Sequence, residues 1–166
     1  MRPFGPWAPS AANNNQAMTD RVQGAIPVTD GWGPRQRLVA VSEALPSAPV
    51  GAIRAMKTDG TTHIYAATTT ALYRLNTGTS PYSWIDVTGA LTFTLSDENP
   101  VDFVPFGDKI LAVNPDLGGV AIADIGTGDF SLLADAPASS FGGEFGERVW
   151  LLGQVGTQNR VEYSGP

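Results

Sequence analysis

"FGDKILAVN" occupies residues 106–114 and "FGERVWLLG" occupies residues 145–153. Each copy sets an aromatic, a glycine, an acid and a base ahead of an apolar run, and the copies start 39 positions apart. A spacing of that size marks a repeated structural unit of about 40–50 residues, as in propeller blades, and not a catalytic motif. The Gly-acid pair suits a type II′ hairpin turn, because glycine accepts the positive φ that matches the twist of the flanking strands. Residues 110–113 and 149–152 are apolar at every position. Both faces of these strands are therefore expected to be buried, as in a sheet held between two others.

Working outward, the unit at 99–138 reads as four strands: 101–106, 109–114, 119–124 and 130–134. The preceding unit, 51–98, has the same order at 51–57, 63–68, 71–75 and 83–88, with a turn at Asp59-Gly60. A third unit, 139–166, supplies strands at 140–145, 148–153 and 159–165 and lacks a fourth. With His63, Lys109 and Arg148 each opening a second strand, the periods are 46 and 39 residues. In the third unit Arg160 and Glu162 point one way and Val161 and Tyr163 the other, as expected nearer a blade's outer side. The expected fold is all-β, built of β-propeller-like four-stranded antiparallel blades and incomplete at about two and a half blades. A closed ring needs about four to eight. The chain is expected to be part of a longer protein, since it stops directly after a strand.

Ahead of the repeat, residues 1–30 are expected to be an extended arm, because Pro3, Pro6 and Pro9 lack amide donors and "AANNNQ" offers nothing to bury. Short strand candidates lie at 22–28 and 38–41, with a turn at Asp30-Gly31, and residues 31–50 form a lead-in. Phe4 and Trp7 sit in the arm, and Trp32 sits in a Gly-Trp-Gly-Pro stretch read as a turn. These three aromatics are the candidates for contact with a neighbouring subunit.

Composition agrees with many short strands. Of 166 residues, 19 are Gly and 13 are Pro, 42% are hydrophobic and 16% are charged. Cysteine is absent, which excludes disulfides, thiolate metal sites and cysteine nucleophiles. No apolar leader or spanning segment is present, so the expectation is a soluble, unexported chain. The net charge of −6 comes entirely from residues 100–166, which hold nine acids against three bases. That balance is the reverse of a phosphate-binding patch.

Catalytic constellations are not legible. His63 is the only histidine and has no clustered partner in sequence. Ser164 lacks the Gly-x-Ser-x-Gly elbow. The stretch "DIGTGD", 124–129, lacks the alternating acids of a calcium loop and the third glycine of a dinucleotide fingerprint. Asp97-Glu98 reads as solvated loop, and paired glycosidase carboxylates would have to converge from different strands. The expectation is a non-enzymatic protein with no catalytic, cofactor or metal residues.

Taken in order, "PFGPWAPS", "VQGAIPVTDGWGPRQRL" (22–38), "GAIRAMKTDG" (51–60), "ATTTALYRL" (67–75), "WIDVTG" (84–89), "FVPFGDKILAVN" (103–114) and "NRVEYSGP" (159–166) form a recognisable series. The series resembles the N-terminal part of the tail hub or nozzle proteins of short-tailed bacteriophages, also described as phage stabilisation or tail accessory proteins. The resemblance covers nearly the whole chain. One departure is "NPVDFVPF", where family members usually carry a tryptophan-rich phrase.

The resemblance implies a virion structural subunit, made in the host bacterial cytoplasm and assembled with copies of itself in a cyclic ring. The ring would lie beside the portal, adaptor and other tail proteins and pass DNA during ejection without binding it specifically. An alternative is a propeller-type receptor or glycan-binding module that uses Tyr82 or Trp84 as a sugar platform.

Overall fold

The computed structural model describes residues 25–28, 31–34, 40–96 and 98–164, the first two stretches by backbone alone. The chain divides into two compact units, Met1–Ala40 and Val41–Pro166. In the first, β1 (Ala25–Val28) pairs antiparallel with β2 (Gly31–Pro34), with Val28 opposite Gly31 and Pro27 opposite Trp32. The Gly-Trp-Gly-Pro stretch is thus a return strand and not a turn. Gly31, expected in a turn with Asp30, already belongs to the ladder. The strand Ala25–Val28 lies inside the candidate expected at 22–28; Phe4 and Trp7 lie outside the described residues.

The second unit holds three antiparallel meanders. Sheet I runs β3 (Gly51–Met56), β4 (Thr62–Ala67), β5 (Leu72–Asn76) and β6 (Ser83–Asp86). Sheet II runs β7 (Asp102–Phe106), β8 (Lys109–Val113), β9 (Val120–Asp124) and the two-residue β10 (Ser131–Leu132). Sheet III runs β11 (Ser139–Glu144), β12 (Val149–Gln154) and β13 (Thr157–Tyr163). Among the described residues the one helical element is a 3-10 turn, Pro115–Leu117, capped by the Asn114 side chain. Of the strand expected at 38–41, the described residues 40 and 41 form no strand; the Val41 carbonyl accepts from the Tyr82 amide at 3.0 Å, next to a parallel bridge between Ser42 and Tyr82.

Period-two alternation explains how the sheets stack. Phe103, Ile110, Ala112, Ala121 and Ala123 of sheet II join Ala55, Tyr65, Ala67 and Leu72 of sheet I in one buried cluster. The intervening positions Val104, Leu111, Val113 and Val120 join Val149 and Leu151 of sheet III in another. Sheet II is therefore covered on both faces, and the run at 110–113 is buried at every position, as its sequence requires. Each buried Val, Leu, Ile or Phe side chain among these contributes about 1.5–3 kcal/mol by leaving water, and each alanine less.

Between sheets, the most extensive strand contacts are those of first strands: β3 against β7, and β7 against β11. Glycine makes the second approach possible. A Cβ on Gly142 of β11 would lie 2.8 Å from Val113 Cγ2 and 3.0 Å from Val104 Cγ2. Polar ties lock sheet I to sheet II as well. The buried Tyr65 hydroxyl accepts from the Gly126 amide at 2.8 Å, and its ring meets Phe130 edge-on at 6.1 Å.

Candidate interaction surface

The two copies of the opening phrase turn their corners differently. Phe106 pairs with Lys109, and of the intervening residues only Gly107 has positive φ, as the type II′ expectation requires. In the second copy both Gly146 (φ 60) and Glu147 (φ 59) are left-handed, as in a type I′ turn. Asp108 also has a partner that its counterpart lacks. Its carboxylate accepts from the Thr58 amide and hydroxyl, both at 2.8 Å, tying the corner of sheet II to that of sheet I. Those bonds hold the Asp108 carboxyl below its ordinary range.

The runs after the corners differ more. On β12 Val149 and Leu151 are buried against sheet II, but Trp150 is half-buried and Leu152 is 41% exposed. The expectation that both faces of 149–152 are buried is therefore corrected. Among the described residues no sheet covers the outer face of sheet III.

That face is apolar and in register. Phe141, Leu152 and Val161 lie directly opposite one another across β11, β12 and β13, at 59%, 41% and 51% exposure. The neighbouring row places the Trp150 and Tyr163 rings 5.0 Å apart, with the Arg148 guanidinium 4.8 Å from the Tyr163 ring centre. The Trp150 indole N–H donates to the Phe145 carbonyl at 2.9 Å, and the Phe145 ring projects at the corner, 77% exposed. Side chains at this density on an exposed sheet face form a contiguous apolar patch, the kind of surface on which a partner can dock. Sequence reasoning missed it because an unbroken apolar run signals burial without saying what does the burying.

A concavity of about 360 Å³ opens between sheets II and III. Leu111, Ile122, Leu133, Pro137 and Tyr163 line it, with Lys109 and Glu162 at its margin. Lys109 is engaged by Asp124 at 2.6 Å and Glu162 by Arg160 at 2.8 Å, so no unpaired charge enters the cleft from these residues.

His63, the second residue of β4, lies close to Gly126, and partial burial lowers its pKa, with Arg74 and Lys57 adding to the effect. Asp59 is held low by the Thr61 hydroxyl and amide. Among the described residues no group of three or more His, Asp or Glu is placed to hold a metal ion. Asp124 is taken up by Lys109, and Ser164 accepts from the Val149 amide at 3.1 Å. Neither is joined to His63.

Trp84 is half-buried, its indole N–H donating to the Glu43 carbonyl at 3.1 Å, and Tyr82 is half-buried beside the Ser42 bridge. Of the nine acids in 100–166, all but Asp102 and Glu162 are exposed. No described helix is long and apolar enough to cross a membrane. Trp32 is placed by its backbone in β2, opposite Pro27. No protein-family model matches the chain, and no curated protein matches it either.

Proposed function

We propose that this chain is a structural component of a bacteriophage tail or neck, forming part of a ring through which DNA passes during ejection. The ordered motif series that resembles nozzle and hub proteins supplies the identity of the assembly. The observation that carries the architecture is the convergence of β3, β7 and β11, the first strands of three successive sheets. Blades set around an axis would meet through their first strands in this way, and the axis of such a ring would be a channel. We read the three sheets as blades on this ground.

The charge supports passage without binding. Exposed carboxylates repel DNA phosphates, whereas a binding groove would cluster Lys and Arg to release counterions. The receptor alternative is less well supported, since Tyr82 and Trp84 are half-buried and the Trp84 N–H is already committed.

Antibodies raised against the chain test the reading on purified particles of the phage that encodes it. Immunogold label at the tail vertex is the expected result. Particles that lack the chain by mass spectrometry would refute it.

A further inference from the structure

Residues directly opposite one another in an antiparallel ladder share a face. His63 therefore lies with its partner Ala55, and Arg74 with its partners Tyr65 and Ile85, on the side of sheet I that meets sheet II. Asn76, opposite Ser83, follows on the same side. The loop after β9 closes over this end of the face. The Tyr65 hydroxyl holds the Gly126 amide, and a Cβ on Gly126 would lie 2.6 Å from His63 Nε2, so the loop comes this near only because residue 126 is glycine. His63, Arg74, Asn76, Thr77, Ile85 and Gly126 line a concavity of about 190 Å³ there.

The charge of this concavity runs against that of the chain. The net charge is −6, yet no acid lines the cleft. The neighbouring acids are committed elsewhere: Asp59 to Thr61, Asp124 to Lys109, and Asp86, on the opposite face, to the Thr88 amide, while Asp129 lies beside Gly89. Among the described residues the half-buried Arg74 joins no salt bridge. We propose that this cleft binds a small free oxyanion of the sulfate or phosphate class, gripped by Arg74 and His63. The planar guanidinium fork meets two oxygens at once, and the imidazolium adds a second charged donor. Burial, Arg74 and Lys57 disfavour that imidazolium, against the weaker opposing pull of Asp59. An oxyanion between the two cations reverses the balance, since an opposite charge favours the protonated ring. Binding and protonation are reciprocal, so the anion is held more tightly as pH falls through the His63 midpoint. The exposed Asp59 and Asp124 nearby favour a free anion over a nucleic-acid phosphate, which would bring further charges of the same sign past these carboxylates. The inference does not rest on the phage assignment.

His63 is the only histidine, so its ring signals in proton NMR spectra of the full chain report its titration directly. Titrations in sodium chloride and in sodium sulfate at equal ionic strength test the proposal, because sulfate keeps its charge across the range of about pH 5–8 in which histidine titrates. Sulfate should raise the His63 midpoint by about 0.2–0.7 of a pH unit, the size expected of a partly exposed charge pair. Arg74→Gln should abolish that response. An unmoved wild-type midpoint overturns the proposal, and this comparison stands even where the variant does not fold. An equal rise in Arg74→Gln also overturns it, as the mark of sulfate acting on the protein surface at large. Duplex DNA at the same phosphate concentration should leave the midpoint where chloride sets it. A midpoint that DNA moves and sulfate does not would overturn the assignment to a free anion.

Discussion

Replacing Gly142 by alanine should destabilise the protein through contacts made across two sheets. The new methyl would lie 2.8 Å from Val113 Cγ2 and 3.0 Å from Val104 Cγ2, whereas carbon atoms prefer about 3.5–4.0 Å. Both valines are buried, so neither can swing into solvent. Overpacking of this kind costs about 1–3 kcal/mol. Against it stands a gain of about 0.4–1 kcal/mol, because alanine restricts the unfolded chain. The net loss is about 1–2 kcal/mol, a fall in Tm of about 2–8 °C for a domain of this size.

Val113→Ala alone removes two buried methyls and costs about 2–3 kcal/mol. Combined, the substitutions should cost less than their sum by about 1 kcal/mol, since the methyl of one occupies space vacated by the other. Urea midpoints for the wild type, the two single variants and the double variant measure the difference. Additivity within about 0.3–0.5 kcal/mol would mean that β11 and β8 do not touch as described, and would refute the stacking of sheet III on sheet II.

Three other outcomes follow from the same geometry. Glu147→Gly should raise stability by about 0.5–1 kcal/mol, because a left-handed φ of 59° strains a side-chain-bearing residue, and thermal melts read the shift. The lowered His63 pKa means that the unfolded chain takes up a proton first as pH falls through 6.5. Stability should therefore decline from there until the folded pKa is passed, and His63→Asn should remove that decline in urea midpoints measured across the window. Fluorescence anisotropy with duplex DNA should show no binding that strengthens as salt is lowered, and a steep salt dependence would contradict the non-binding passage.

The parts of this fold that were legible in sequence are those decided by the chain's own neighbours. The run at 110–113 declared a strand buried on both faces, and β8 is one, because sheets I and III both lie within the chain. The Gly-acid pairs declared hairpin corners, and both corners formed. Their turn types were not legible, since the same pair fits a II′ turn at Gly107 and a I′ turn at Gly146.

Where burial depends on another surface, the sequence was silent. Phe106 and Phe145 occupy equivalent places in the phrase, yet Phe106 packs on the cluster between sheets II and III and Phe145 projects into solvent. The fourth strand expected at 130–134 shrank to Ser131–Leu132, because Phe130 turns into the core and its amide bonds the Val87 carbonyl of the preceding unit at 2.8 Å. The Gly-Trp-Gly-Pro stretch suggests a turn because glycine and proline signal turns, yet its backbone pairs with Ala25–Val28 as a strand.

Amide hydrogen exchange on the intact chain tests the three-sheet stack most directly. Residues 110–113, in a strand with a paired neighbour on each side and a covering sheet on each face, should exchange slowest and only through global unfolding. Residues 158–160, which lie at the interruption of the β12–β13 ladder, should exchange fastest among the strands. Equal protection of the two segments, or faster exchange at 110–113, would contradict the account.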